Sequence, residues 1–502
     1  MENFDVVLFS PPSRMINHYR PPMGLLYVGG YLTHKGLKVK IIDVPLEEQI
    51  RDKQFFDTID QTIEAVHNRM MEEFKKINTK IVGISCYTPE YFETLKLAKD
   101  IRRINSSCKI IVGGIHPTFY PEDFFDIDER LIDFCVVGEG EVTAYELVES
   151  LLGKNNKTLD RIPGIVYSVN NSSKLMTTEK RLPVTNLDEI SYPDYRLIDM
   201  SYYSNANPYA IRGVFLRSMY LSATRGCPSQ CSFCVAKKLR QFFGTGRVRS
   251  AEGLISEIKS LKSKHAIDSF YFVDDLFTIN KKNVEEFCRR LRAERLGLIW
   301  GCSSKVSTLN EGMLKVMSNA GCVQIDFGVE RGSDAALNIV HKGQTIEMVK
   351  NIFSLCHKYG IRTFANMLVN LPHEKEEDLN DILSLLDILK PEITSINIFT
   401  PYPGAQIYED LDYKFSRDEY AGLTRDVLQL IKSSPDKFKF CEHDIDLGQW
   451  VAKNTKHYNK VLPNLRFYFT WRYWRTILKS RKKLNYCGQF GLLVREFINQ
   501  KF

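Results

Sequence analysis

The chain is predicted to be an α/β protein in three parts. A Rossmann-like, doubly wound domain covers residues 1–155, a partial (β/α)6 barrel of the TIM type covers 218–405, and a small helical C-terminal unit covers 406–502. Residues 156–217 form the connector. Three observations carry this reading: 502 residues are too many for one ordinary core, two separate stretches alternate short apolar runs with helical patterns, and the charge balance changes abruptly near the C-terminus. With 44% hydrophobic and 26% charged residues the composition is ordinary for a soluble globular protein.

In the first third, FDVVLFS, GLLYVGGYLTHKG, KVKIIDV, KIVGISCYT, KIIVGGIH and DFCVVGEGE read as strand, helix, strand repetition, which argues for a parallel sheet with helices on its faces. The predicted strand ends are rich in small and hydroxylated residues: Ser10 to Ser13 with Pro12, Ser85 to Pro89 with Thr88, Gly113 and Gly114 before His116, and Gly138-Glu139-Gly140. Such residues let backbone approach a large ligand at the carboxyl edge of an open sheet. No G-x-G-x-x-G follows the first strand, so a dinucleotide is disfavoured.

From about Asn155 to Ser218 turn formers dominate, and this stretch is read as an ordered connector between domains. A second βα series follows, with strands expected at Met219–Ala223, Phe270–Val273, Ile299–Cys302, Val323–Gly328, Arg362–Met367 and Ser395–Phe399. Six strands separated by helical patterns suggest a partial or complete parallel barrel, whose active site lies at the strand carboxyl ends.

Twelve cysteines with no basic leader before an apolar stretch suggest reduced thiols in a cytosolic protein. Nine are scattered, but Cys227, Cys231 and Cys234 crowd into TRGCPSQCSFCV, directly after the first barrel strand. Three soft thiolates on one turn suit zinc or an iron-sulfur cluster. Zinc needs a fourth protein ligand, and the next Cys or His is His265. One corner is therefore left open, as a cluster requires if it is to bind a substrate directly.

The Cys-x-x-x-Cys-x-x-Cys spacing, with Phe233 just before the last Cys, resembles the signature of the radical S-adenosylmethionine (SAM) superfamily. The resemblance implies a 4Fe-4S cluster whose fourth iron is chelated by SAM. It extends through Arg247 and Arg249 in GRVRSAEGLISEI, FYFVDDLFTIN, FGVERGSDAALNIVHKG, and MLVNLPHEKEEDL with PYPG after it. On that basis SAM would be bound by Phe233, Asp274, Asp275, Glu330 and Ser304. Asp274 could instead cap a helix, Glu330 could pair with Arg331 or Lys342, and Ser303, Ser304 and Lys305 could be ordinary loop polarity. Arg331 stands where the family usually has a small residue, and Asn370 where it has Gly.

The N-terminal stretch resembles the cobalamin-binding domain found in one subgroup of that superfamily, through Pro21-Pro22-Met23-Gly24-Leu25-Leu26-Tyr27, Gly113-Gly114-Ile115-His116-Pro117 and Val137-Gly138-Glu139-Gly140-Glu141. The resemblance implies cobalamin contacts from Ser10, Pro12, Met23, Gly24, Ser85, Thr88, Gly113, Gly114, His116, Gly138, Glu139 and Gly140. No histidine has an Asp two residues before it, so the Asp-x-His-x-x-Gly route to a cobalt ligand is absent.

Residues 451–502 hold twelve Lys or Arg and one acid, +11 against −4 for the rest of the chain. Phe467, Trp471, Trp474 and Leu478 recur at helical spacing, with Arg472, Arg475 and Lys479 one position after the last three and Lys482 a turn further on. Three readings fit: a helix packed on the barrel, an interfacial helix in peripheral contact with anionic membrane, and a basic lid over an anionic substrate. Nucleic acid is disfavoured because no recognised RNA module accompanies the charge.

The family resemblance implies an enzyme in which the reduced cluster cleaves SAM, the resulting radical activates an unactivated carbon, and cobalamin delivers a methyl group. An external one-electron reductant and a small-molecule or lipid-like substrate are the expected partners. The alternatives are a cobalamin-dependent cyclase, rearrangement enzyme or oxidoreductase without methyl transfer, and a noncatalytic membrane-associated binding protein.

Overall fold

In the computed structural model, residues 1–13, 20–45, 59–126, 130–169, 174–190, 192–423, 427–459 and 466–479 are described. They form two compact units: one of Met1–Tyr202, Cys234–Gly244 and Thr400–Ser433, the other of Tyr203–Phe233, Thr245–Phe399 and Ser434–Phe502.

The first unit is built on seven strands: β1 Val6–Phe9, β2 Val39–Ile42, β3 Ile81–Ser85, β4 Lys109–Gly113, β5 Phe134–Val136, β6 Ile165–Ser168 and β7 Leu175–Thr177. Their order is β2-β1-β3-β4-β5-β6-β7, with the first five parallel and the last two added antiparallel. β1 is buried along its whole length, as a strand covered on both faces must be. Helix Met23–His34 packs with Gly140–Leu151, and Ile59–Phe74 packs with Tyr91–Ile104. Gly30 allows the first of these helices to lie against residues 192–194, since a Cβ there would fall 2.6 Å from the Tyr192 carbonyl. The strand order reverses between β1 and β3, and their carboxyl ends, at Ser10 and Ser85, open the crevice where such sheets take ligands.

The second unit holds β8 Ala206–Asn207, β9 Leu216–Leu221, β10 Ser269–Phe272, β11 Ile299–Ser304, β12 Cys322–Glu330, β13 Arg362–Val369 and β14 Ile393–Ile398, paired in sequential order. β9 to β14 are all parallel and β8 adds antiparallel at the edge, giving the six-stranded partial barrel expected from the sequence. Helices Ala251–His265, Lys281–Glu294, Glu311–Asn319, Ile346–Lys358 and Glu376–Leu389 connect the strands. Four begin on a side-chain cap, with Ser250, Asn280, Asn310 and Thr345 accepting the amide three residues on; in the fifth, Asp378 reaches back to accept the Lys375 amide at 2.8 Å. Phe270, Phe272, Phe277, Phe287 and Trp300 seal helix Lys281–Glu294 onto the sheet, with Phe270 and Trp300 stacked at 6.1 Å.

The last described helix, Trp471–Leu478, plugs the amino-terminal end of this barrel. Phe467, Tyr473 and Ile477 pack with Ile211, Val214, Leu216, Ile299 and Val323. Arg472 donates to the carbonyls of Cys322 (3.3 Å), Tyr359 (3.2 Å) and Gly360 (2.9 Å). These groups precede or open β12 and β13, at the end of the barrel opposite the cysteine loop. The lid reading is thereby excluded for this helix. Lys482 lies outside the described residues.

Candidate functional site

The carboxyl ends of the second unit's strands bring the predicted residues together. β9 leads into the cysteine loop, and a clamp fixes its start. The Ala223 and Thr224 amides and the Ser222 hydroxyl donate to the Asp274 carboxylate at 2.9 to 3.1 Å. Arg249 holds the same stretch from the other side, its amide donating to Ala223 O (2.8 Å) and its guanidinium to Ser222 O (3.1 Å), with Glu257 as its buried partner at 2.5 Å. Thr224 and Arg225 then pair antiparallel with Val248 and Arg247. Arg249 and Glu257 stand eight residues apart in GRVRSAEGLISEI. That motif was legible from the sequence, but the work it does was not.

Asp274 is buried, and its position explains its chemistry. Burial raises its carboxyl to about 7, while the Thr224 and Ala223 amides pull the other way. Between the ordinary value of 3.8 and about 7 the folded chain holds a proton that the unfolded chain has released. This group's contribution to stability is therefore present at acid pH and declines as pH rises through that window. Asp274→Asn should flatten the decline, so thermal midpoints of the variant should fall less than those of the parent between about pH 4 and about pH 7. Equal slopes would contradict the assignment.

Beyond the clamp, the loop is free of disulfides: Cys231 is buried, and Cys227 and Cys234 are half-buried. The Ser232 amide donates to Val340 O at 3.1 Å, and the Ala236 amide points to Cys234 Sγ at 3.5 Å. Burial raises the Cys231 thiol above its ordinary value, whereas the Lys342 and Lys305 cations act to lower it. Lys305 follows β11 and reaches Ser229 Oγ at 3.5 Å; burial lowers its ammonium. Lys342 lies 5.6 Å over the Phe233 ring and pairs with Glu330 at 2.8 Å. Three thiols on one loop attended by two lysines are a donor set that fits a cluster of net negative charge.

The remaining predicted residues have distinct surroundings. Asp275 is exposed. The Ser304 hydroxyl is buried against Thr278 Oγ1 at 2.6 Å. Glu330 ends β12 with φ +70°, already paired with Lys342. On the same strand Gln324 and Asp326 share a face, Gln324 donating to Asp326 at 2.8 Å, before the pairing register shifts between Gly328 and Glu330.

Arg331 and Asn370, the two departures from the family pattern, fall in one buried network. Arg331 pairs with Glu374, whose other oxygen accepts the Asn370 amide (2.8 Å) and meets His443 Nε2 (3.2 Å). The Asn370 side chain donates to Phe399 O (3.2 Å) and Phe438 O (2.8 Å) and accepts the Phe440 amide (2.9 Å). Segment 438–443 thus docks on Asn370 and Glu374, while Arg331 braces Glu374 from the other side and donates to Leu368 O at 3.0 Å.

In the first unit, Ser10, Ser85, Gly113 and Gly138 follow or end four strands at the carboxyl edge, and Met23, Gly24 and Gly140 open the two adjacent helices. Pro12 is buried. Gly138 has φ +87°, and a Cβ added there would meet nothing closer than Phe242 at 3.8 Å. Gly114 has φ +115°, and a Cβ there would press on Cys86 O at 2.8 Å, so only glycine fits that crossing. A glycine-lined edge of this kind fits a bulky ligand lying against backbone. Thr88 and His116 are joined through Oγ1 and Nδ1 at 3.1 Å, and His116 is fully buried, its Nε2 lying 3.2 Å from Asp123 beneath Tyr91, Phe124 and Tyr420. Glu139 accepts the Val184 amide at 3.3 Å.

These two regions coincide with two family models. Residues 221–386 match the Radical SAM superfamily, and residues 15–148 match the B12 binding domain. Over 416 residues the chain is 30% identical to the uncharacterized methyltransferase PH0819 of Pyrococcus horikoshii, covering 82% of this chain and 83% of that protein. It is 27% identical over 454 residues to the anaerobic magnesium-protoporphyrin IX monomethyl ester cyclase of Rubrivivax gelatinosus, covering 89% and 74%. In fold it resembles the radical SAM methyltransferase TsrM from Kitasatospora setae, solved with cobalamin and a [4Fe-4S] cluster, at a TM-score of 0.65, 17% identity and 92% coverage of each chain.

Proposed function

Because the chain belongs to the B12-binding radical SAM enzymes, with a 4Fe-4S cluster, SAM and cobalamin as their cofactors, we propose that it methylates an unactivated carbon of a small molecule or lipid-like substrate. When bound, the cofactors supply radical generation and the methyl group. The chain's own residues hold and orient. Cys227, Cys231 and Cys234 are the cluster ligands, Lys305 and Lys342 balance the charge, and Asp274 with Arg249 sets the loop's position. Phe233, Asp275, Glu330 and Ser304 would line the SAM site, where the Glu330 carboxylate beside Lys342 would offer an acceptor to its amino group. Residues 1–155 are assigned to cobalamin, through the strand-end residues from Ser10 to Gly140, with the barrel of 218–405 for the radical chemistry. Thiol ligands kept reduced, and a one-electron reductant, suit a cytosolic setting.

The observation that supports methylation is the 30% identity to a methyltransferase over most of both chains. The similarity to the cyclases supports a second reading, in which the same cofactors close a ring without methyl transfer. Product mass decides between them. With SAM carrying a deuterated methyl group, the product should gain one labelled methyl in place of hydrogen. An unlabelled, rearranged product formed together with 5′-deoxyadenosine would establish the cyclase reading instead.

A further inference from the structure

Helix Trp471–Leu478 splits the apolar stripe read from the sequence. Phe467 packs in the barrel with Tyr473 and Ile477, whereas the rest of the stripe faces outward: Trp471 is 71% exposed, Leu478 72% and Trp474 46%, with Phe469 just before the helix at 84%. No other ten described residues concentrate large exposed side chains of this kind so densely. Arg466, Arg475 and Lys479 are exposed in the same stretch, and among the described residues Arg466 and Arg475 have no acidic partner. Residues 480–502, outside the described structure, add five Lys or Arg and one Glu.

We propose that this face, an outward ridge of Phe469, Trp471, Trp474 and Leu478 flanked by Arg466 and Arg475, docks the protein on the surface of an anionic lipid bilayer. Tryptophan and aliphatic side chains on one helix face enter the headgroup boundary while flanking arginines meet lipid phosphates. Charge complementarity selects this occupant. A second copy would set Arg466 and Arg475 against the same residues of its partner, like charge against like. A bilayer presents the opposite sign. No described helix is long and apolar enough to cross a membrane, so the contact is peripheral. The ridge lies at the amino-terminal end of the barrel strands, so the docked protein would turn the cysteine loop, at their other end, away from the lipid.

The test uses the full chain and vesicles of phosphatidylcholine with or without about one-third phosphatidylglycerol. Co-sedimentation should be strong with the anionic vesicles, weaken as salt is raised, and fall at least about tenfold with neutral ones. Brominated acyl chains should quench the protein's tryptophan emission. Trp471→Ser/Leu478→Ser, both at exposed positions, should reduce binding at least about tenfold with an unchanged circular dichroism spectrum. Arg466→Glu/Arg475→Glu should do the same at low salt. The proposal is overturned if the parent does not sediment with anionic vesicles, or if the variants bind as well as the parent. It is equally overturned if the ridge mediates a dimer that Trp471→Ser/Leu478→Ser dissolves, or if single-stranded RNA competes the vesicles away. Enzyme activity enters none of these readouts.

Discussion

Replacing Cys227, Cys231 or Cys234 singly by Ala should leave a folded protein with no 4Fe-4S cluster. A cluster on two thiolates cannot keep its iron, since this loop supplies three ligands and no His or further Cys within thirty residues can substitute. After anaerobic reconstitution, iron and sulfide should fall from about four of each per chain to background, and SAM cleavage should vanish with them. Cys288→Ala, at a buried cysteine on a barrel helix, is the control and should keep its cluster. A full cluster spectrum in any one of the three loop variants would remove that residue from the ligand set.

The second large effect lies away from the chemistry. Glu374→Ala should destabilise the barrel unit by about 3–5 kcal/mol, because it leaves the buried Arg331 guanidinium with only Asp378, at 3.5 Å, as a carboxylate partner and removes the acceptor for the Asn370 amide and His443. Denaturant titration measures the loss. A buried ion pair is more costly to break than to replace, so Arg331→Met/Glu374→Met should lose distinctly less than Glu374→Ala. If the double variant is the worse of the two, the pair is a source of net stability and the reasoning fails.

The two sites differ in how far they could be read in the sequence. The fold was legible because its signals are local and repeated: two runs of strand–helix alternation, each strand ending in small or polar residues. The cysteine loop was legible because three thiols lie within eight positions. What the sequence concealed depends on contacts across many positions. Asp274 looks like a group waiting for an ammonium, yet its oxygens are filled by backbone some fifty residues earlier. Arg331 and Asn370 look like isolated departures until Glu374, which joins them, and the segment at 438–443 on Asn370 are in place. The C-terminal stripe shows a further gap. Helical period identifies an apolar face, but period alone does not say which face meets the protein. Here Tyr473 and Ile477 take the core, and the tryptophans do not.

The open corner of the cluster is the centre of the account, and the spectrum of the reduced cluster tests it most directly. Electron paramagnetic resonance of the reconstituted, reduced protein should give a 4Fe-4S signal whose shape changes when SAM is added. The change should disappear in the three cysteine variants for want of a cluster. A reduced cluster whose signal is indifferent to SAM would mean that a protein ligand fills the fourth position, and the functional reading would fall with it.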